Sequence, residues 1–148
     1  MIRGKVPWEV LEHTADTGIV VRAKSLPALY ERAAAAMFDA LVDLATVEPR
    51  GDAEEVAVEA PDRETLLVAW LGELLSRAEA AGRVYGEFDV RELGPAGEDW
   101  RLVARVRGEP LDPSRHRFRL EIKAVTYHLL EVRREEPDGW LARVLFDI

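Results

Sequence analysis

Two stretches of this chain carry apolar residues three and four positions apart, whereas most of the remainder alternates apolar and polar residues. The first stretch follows a helix-capping Ser25 and comprises Leu26, Leu29, Tyr30, Ala33, Met37, Phe38 and Leu41. The second begins after Asp62, ends at Gly82, and comprises Leu66, Leu67, Trp70, Leu71, Leu74, Leu75 and Ala78. This spacing predicts two amphipathic helices, each of which must bury one apolar face.

Alternation with a period of two predicts β-strands in the other segments. Strands are expected around Val56 and Val58 and over residues 6–13, 18–23, 84–93, 100–106, 118–133 and 140–148. Residues 14–17 are short and polar enough for a hairpin turn, and Pro137-Asp138-Gly139 indicates another. The predicted order is ββαβαββββ, which gives an α+β fold: a two-layer sandwich of two helices on a mostly antiparallel sheet.

A chain of 148 residues without repeats or linkers is expected to form a single domain over residues 1–148. Its 28 acidic side chains outnumber the 20 basic ones, which disfavours direct nucleic-acid binding because phosphate contacts need a basic surplus. Cysteine is absent, which excludes disulfides, thiolate metal sites and cysteine nucleophiles. No apolar run approaches the roughly 20 residues of a membrane span, and no signal-peptide core is present. We therefore expect a cytoplasmic protein without a membrane segment.

The common catalytic motifs are missing from the sequence. It contains no glycine-rich phosphate loop, no His-Glu-x-x-His motif and no serine in a nucleophile elbow. The tripeptide Asp16-Thr17-Gly18 matches that of aspartic proteases, but those enzymes are nearly all β, whereas two helices are predicted here. Nucleotide hydrolysis, serine hydrolysis and aspartic proteolysis therefore lack support.

Two segments place carboxylates where they could act together. His13 and Asp16 stand at a predicted strand end and bend, although a turn-forming hydrogen bond is an equally good role for Asp16. At the other terminus, the Asp147 side chain and the Ile148 α-carboxylate offer two oxygen ligands from adjacent positions. Gathered carboxylates repel one another, and a hard cation such as Ca²⁺, Mg²⁺ or Mn²⁺ relieves that repulsion. A solvated strand-end charge is the alternative interpretation of Asp147.

A third segment, Lys123–His128, contains a lysine and a histidine in a predicted strand. In a regular strand Lys123 and His128 lie on opposite faces, so they could meet only if a bulge intervened. The alternative is an ordinary central strand with an exposed lysine. His116 lies in a predicted surface loop, and we assign it no role.

Taken together, the segments Glu12–Gly18, Lys123–His128 and Phe146–Ile148 resemble the archease family. The resemblance covers essentially the whole chain, including the ββαβαββββ order. It is specific, because three motifs occur in the right order and the last one stands at the terminus.

The resemblance implies an accessory factor, without catalysis of its own, for the RtcB-type tRNA-splicing ligase. That ligase joins RNA 3′-phosphate or 2′,3′-cyclic phosphate ends to 5′-hydroxyl ends with Mn²⁺ and GTP. Archeases speed guanylylation of its active-site histidine and permit multiple turnover.

The family's metal site maps onto Asp16, Asp147 and Ile148, the last through its carboxylate. Ca²⁺ is the expected ion, with Mg²⁺ or Mn²⁺ as alternatives. His13, Lys123 and His128 match motif positions whose separate roles the family pattern does not assign. Thr17 stands where many members carry isoleucine. The rival functions are a stand-alone metal-dependent phosphoester hydrolase and a general chaperone-like binding protein.

Overall fold

The computed structural model describes residues 7–12 and 16–148, with the side chains of Glu12 and Asp16 outside that description. These residues form eight strands and two α-helices, β1 (Trp8–Glu12), β2 (Asp16–Ala23), α1 (Leu26–Leu41), β3 (Glu54–Ala60), α2 (Arg63–Ala81), β4 (Arg83–Ala96), β5 (Asp99–Pro110), β6 (Ala124–Val125), β7 (Glu131–Glu135) and β8 (Gly139–Asp147). The predicted α+β class is confirmed. Neither helix within the described residues is long and apolar enough to cross a membrane.

Both helices begin after the predicted capping residues, and α2 also ends at the predicted glycine. The Ser25 hydroxyl accepts a hydrogen bond from the backbone N–H of Ala28 at 3.2 Å, at the start of α1. The Asp62 carboxylate accepts one from Thr65 at 2.7 Å, and this bond lowers the pKa of Asp62. Gly82 ends α2 in the left-handed conformation, with φ of 61°, which a residue without Cβ adopts at little cost.

The strands form two sheets rather than the single sheet of the prediction. In the larger sheet the order is β1-β2-β8-β6, and β7 also pairs with β8, on the same side as β6. The smaller sheet has the order β3-β5-β4. Every pair described is antiparallel, as predicted.

The helices join the two sheets through one main core. Helix α1 packs on β2 and β4, and so contacts both sheets, while α2 packs chiefly on β3. The largest fully buried side chains include Trp70, Tyr30, Tyr85, Phe38 and Phe146. The indole N–H of Trp70 donates to the Tyr30 carbonyl at 2.9 Å, so the buried polar atom at the helix–helix contact is satisfied.

The expected continuous strand over residues 118–133 is interrupted. Residues 118–123 form an extended connection whose main chain hydrogen-bonds at the end of α1, through Arg119 N–H and the Leu41 carbonyl at 2.9 Å. Only Ala124–Val125 and Glu131–Glu135 join the sheet. Five strands therefore follow α2 instead of four, because residues 126–130 bulge away from β8.

His116 is buried, which corrects its placement in a surface loop. Its Nδ1 accepts the Asp112 backbone N–H at 2.9 Å, so Nε2 carries the hydrogen and donates to the Glu109 carboxylate at 2.8 Å. Glu109 also accepts a hydrogen bond from Arg115 at 2.5 Å and one from the Glu48 backbone at 2.6 Å. This cluster, the Glu109 clasp, fixes the loop after β5 onto the segment after α1.

Acid should loosen the Glu109 clasp. Burial raises the pKa of Glu109, but hydrogen bonds from Arg115 and His116 outweigh it and leave the pKa below its ordinary value. The clasp's contribution is therefore complete above the unfolded pKa of about 4.3 and is lost as pH falls through the lower folded pKa. We expect Glu109→Gln to lower the free energy of unfolding at pH 7 and to lower it by less at pH 3. Urea unfolding at the two pH values measures this, and an equal loss at both would contradict it.

Gly18 allows β2 to approach β8 closely. A Cβ at Gly18 would overlap Cδ2 of Leu145 and lie 2.6 Å from the Val144 carbonyl oxygen. We therefore expect Gly18→Ala to lower the free energy of unfolding by roughly 1–3 kcal/mol. In Gly72→Ala, on α2, the new Cβ meets nothing within 4 Å. That control should raise stability by up to about 1 kcal/mol, because alanine favours helix. Chemical denaturation measures both, and equal effects would refute the packing argument.

Candidate functional site

The β2–β8 pairing brings two of the predicted metal ligands to the same level of the sheet. Asp16 opens β2 and Asp147 closes β8, and the register sets the two residues directly opposite each other. Directly opposed residues of an antiparallel pair lie on the same face, with Cβ atoms about 4.5–5.5 Å apart. Residues separated by most of the chain are therefore neighbours here.

The segment Lys123–His128 begins beside Asp147, on the edge of β8 opposite β2. Ala124 is the partner of Asp147 on β6, and the backbone N–H of Lys123 donates to the Asp147 carbonyl at 2.7 Å. Three adjacent strands thus carry the three motifs at one end of the larger sheet. We call this region, comprising Asp16, Lys123, Ala124, Asp147 and Ile148, the acidic end.

The packing of β8 directs the Asp147 side chain away from the main core. Phe146 is fully buried in the main core, whereas Asp147 and Ile148 are exposed. Because successive strand residues point to opposite faces, burial of Phe146 places Asp147 on the face away from the helices. The Asp147 carboxylate is therefore available to a ligand or partner without disturbing the core.

Lys123 and His128 are both exposed, but they differ in position. Lys123 adjoins Asp147 through the main chain, and its side chain makes no hydrogen bond or ion pair with the described part of the chain. His128 lies in the bulge between β6 and β7, and its backbone N–H donates to the Thr126 hydroxyl at 3.3 Å. A bulge therefore lies between the two residues, but no hydrogen bond joins their side chains. His13 lies outside the described residues.

The ligand atoms available at the acidic end are oxygens, which hard cations prefer. Asp16 and Asp147 offer carboxylates, and Ile148 is the last residue of the sequence. All-oxygen ligand sets suit Ca²⁺, Mg²⁺ and Mn²⁺. Among the described side chains, no group of three or more His, Cys, Asp or Glu residues could hold a metal. The predicted set lies outside that test, because it uses the Asp16 side chain and a main-chain carboxylate.

Sequence reasoning missed how the segment next to the site is fixed. Both the backbone N–H and the hydroxyl of Thr126 donate to the Leu145 carbonyl, each at 3.0 Å. The Arg143 side chain donates to the Leu129 carbonyl at 2.8 Å and forms an ion pair with Glu131 at 3.6 Å. The only sequence signal for these contacts was the polar threonine inside a predicted strand.

Almost the whole chain, including these segments, is similar to proteins of known sequence. The family model described as the Archease protein family matches residues 8–148. "Protein archease" of Methanopyrus kandleri is 44% identical over 146 residues, which are 97% of this chain and all of that protein. "Protein archease" of Pyrococcus abyssi is 39% identical over 142 residues, covering 95% of this chain and 98% of that protein.

Solved structures show the same architecture. The solution structure of Methanobacterium thermoautotrophicum protein 1598 superposes with a TM-score of 0.83 at 31% identity, over 96% of this chain and 99% of that one. The Thermotoga maritima crystal structure, described as an archease and possible chaperone, has a TM-score of 0.52 at 22% identity. It covers 100% of this chain and 98% of its own, and it supports the fold alone. The family model and the full-length relatives show that this chain belongs to the archease family.

Proposed function

We propose that this archease activates an RtcB-type RNA ligase in tRNA splicing and RNA repair, promoting GTP-dependent guanylylation of the ligase and its multiple turnover. In this role it is an accessory protein and not an enzyme. The observation that carries the proposal is the register of Asp16 opposite Asp147, with the Lys123 segment alongside. Family membership supports the choice of partner.

Charge supports an encounter with a ligase rather than with RNA itself. The chain has a net charge of −8. A protein that binds polyanionic RNA and GTP needs a basic active-site mouth, and an acidic partner is steered towards such a mouth. The acidic end is the part of the chain that we expect to face the ligase, because its carboxylate on β8 is exposed and away from the helices.

The residues proposed to hold a divalent ion are Asp16, Asp147 and the carboxylate of Ile148. Such an ion, Ca²⁺ in the first place and Mg²⁺ or Mn²⁺ as alternatives, supplies positive charge that neutralises phosphate oxygens. The β2–β8 register holds the two aspartates together, and the buried Phe146 keeps the end of β8 in place. Lys123 is proposed to contact a phosphate or to anchor a carboxylate of the cluster.

Removing either aspartate should abolish activation and leave the fold intact. Asp147 is exposed, so Asp147→Ala should change the free energy of unfolding by less than about 0.5 kcal/mol. We expect both Asp16→Ala and Asp147→Ala to reduce ligase guanylylation to the rate seen without archease. Asp52→Ala is the matched control, because Asp52 is an exposed loop carboxylate just before β3 of the smaller sheet, whereas the acidic end belongs to the larger sheet.

The assay is single-turnover guanylylation of purified ligase with GTP, in the presence of each archease variant. Wild-type stimulation by Asp16→Ala or Asp147→Ala would show that the cluster is structural. Loss of stimulation by Asp52→Ala would show that bulk charge, not the cluster, carries the effect.

A tail added after Ile148 tests the terminal carboxylate. The tail converts an anionic ligand into a neutral amide, while the Ile148 side chain can still pack. We expect weaker divalent-ion binding by calorimetry and weaker guanylylation, with an unchanged melting temperature in the absence of metal. The same short Gly-Ser tail placed before Met1 is the control. Equal affinity and equal guanylylation for both tailed proteins would exclude the terminal carboxylate as a ligand.

A chaperone-like function is the second candidate, and one surface feature favours it. An apolar groove of about 260 Å³ lies beside α2, with lining residues that include Leu75, Leu111, Phe118, Leu120 and Ile122. Three of these side chains, Leu111, Phe118 and Leu120, are exposed. A chaperone that uses this groove would suppress aggregation of an unfolded client equally well with Asp147→Ala, whereas ligase activation should depend on Asp147.

A further inference from the structure

The edge of the larger sheet is interrupted beside the acidic end. Val125 pairs with Phe146 and Glu131 pairs with Arg143, so five residues on one side face only Val144 and Leu145 on β8. Residues 126–130, which we call the edge bulge, therefore project from the sheet. Within the described sheet order no strand lies beyond β6 and β7, which leaves the bulge accessible.

The edge bulge exposes two large side chains that the fold does not bury. Tyr127 is 64% exposed and Leu129 is 53% exposed. Leu129 also has a φ of 55°, the only positive φ of a non-glycine residue among those the structure describes. This left-handed conformation is unfavourable for leucine and favours glycine or asparagine. The Leu129 side chain is exposed and its backbone conformation is unfavourable for leucine, so this residue does not stabilise the fold. We therefore expect its side chain to contact another molecule.

The edge bulge is nevertheless firmly held. The Thr126 hydroxyl donates to the Leu145 carbonyl at 3.0 Å, and Arg143 donates to the Leu129 carbonyl at 2.8 Å. Leu130 N–H donates to the Tyr127 carbonyl at 3.3 Å, which closes the turn. A segment fixed in this way loses little conformational freedom when it binds, so it is suited to recognition.

The surroundings favour a protein partner over a nucleic acid. Asp147 and Glu121 carry exposed carboxylates on the segments that flank the edge bulge, and these repel phosphate, whereas the Glu131 carboxylate is ion-paired with Arg133 and Arg143. An exposed tyrosine next to an exposed aliphatic side chain is typical of the centre of protein–protein interfaces. The same carboxylates are complementary to a basic protein surface.

We propose that Tyr127 and Leu129 form a docking contact that inserts into an apolar pocket at the rim of a basic cleft in the partner protein. The contact anchors this archease so that the acidic end enters the cleft. This inference rests on the proposed function in naming the ligase as the partner. It adds the residues that supply affinity, which are separate from the aspartates that supply activation.

The test uses Leu129→Asn and Tyr127→Ser, with Val10→Ser as the matched control. Val10 is 55% exposed on β1, which forms the opposite edge of the larger sheet from β6 and β7. Because asparagine tolerates a positive φ, Leu129→Asn should melt at the wild-type temperature or higher. We expect both bulge variants to bind purified ligase at least about tenfold more weakly in calorimetry, as interface anchors do when truncated. Val10→Ser should bind like the wild type.

The outcomes separate this inference from the proposed function. Wild-type ligase affinity in both bulge variants would overturn the docking contact, while the Asp147→Ala assay would still decide the function. An equal loss of ligase affinity in Val10→Ser would also overturn the docking contact. So would bulge variants that bind a single-stranded RNA oligonucleotide more weakly but bind the ligase like the wild type. A wild-type protein that neither binds nor stimulates the ligase would refute the proposed function, and the docking contact would fall with it.

Discussion

The antiparallel ladder between β2 and β8 is the constraint on which the rest of the structure depends. It runs from Asp16 opposite Asp147 to Ala23 opposite Trp140. The side chains that it turns towards the helices, Ile19, Val144 and Phe146 among them, are buried in the main core. A slip of one residue would move every side chain to the other face. One register therefore turns Phe146 towards the main core and Asp147 towards the opposite face.

The two ends of β8 serve different purposes. At the end where β8 begins, the Arg63 guanidinium lies 4.9 Å from the ring centroid of Trp140 and 5.8 Å from that of Trp100. These two tryptophans belong to different sheets, so the first residue of α2 is held between the sheets by cation–π contacts. The opposite end of β8 carries Asp147 and Ile148 into solvent. That exposure leaves the acidic end accessible for binding.

The helices and the family motifs could be predicted from sequence because their signals are local. Ser25 and Asp62 cap helices whose apolar spacing needs no tertiary information, and the structure confirms both. The edge bulge could not be predicted, since the left-handed Leu129 is held by an arginine fourteen positions away. His116 was misplaced for the same reason, because its burial depends on a glutamate seven positions earlier. The convergence of Asp16 and Asp147 was inferred from charge and resemblance, and the sheet register brings the two residues opposite each other.

The central claim is that Asp16, Asp147 and the terminal carboxylate bind a divalent ion together at the acidic end. Paramagnetic relaxation by Mn²⁺ tests this claim most directly, because the ion broadens the amide resonances that lie near it. In an isotope-labelled protein titrated with Mn²⁺, we predict selective broadening of amides in residues 16–18, 123–126 and 145–148, with those near Trp140 unaffected. Broadening elsewhere on the surface, or uniform weak broadening without a focus at these three segments, would contradict the claim.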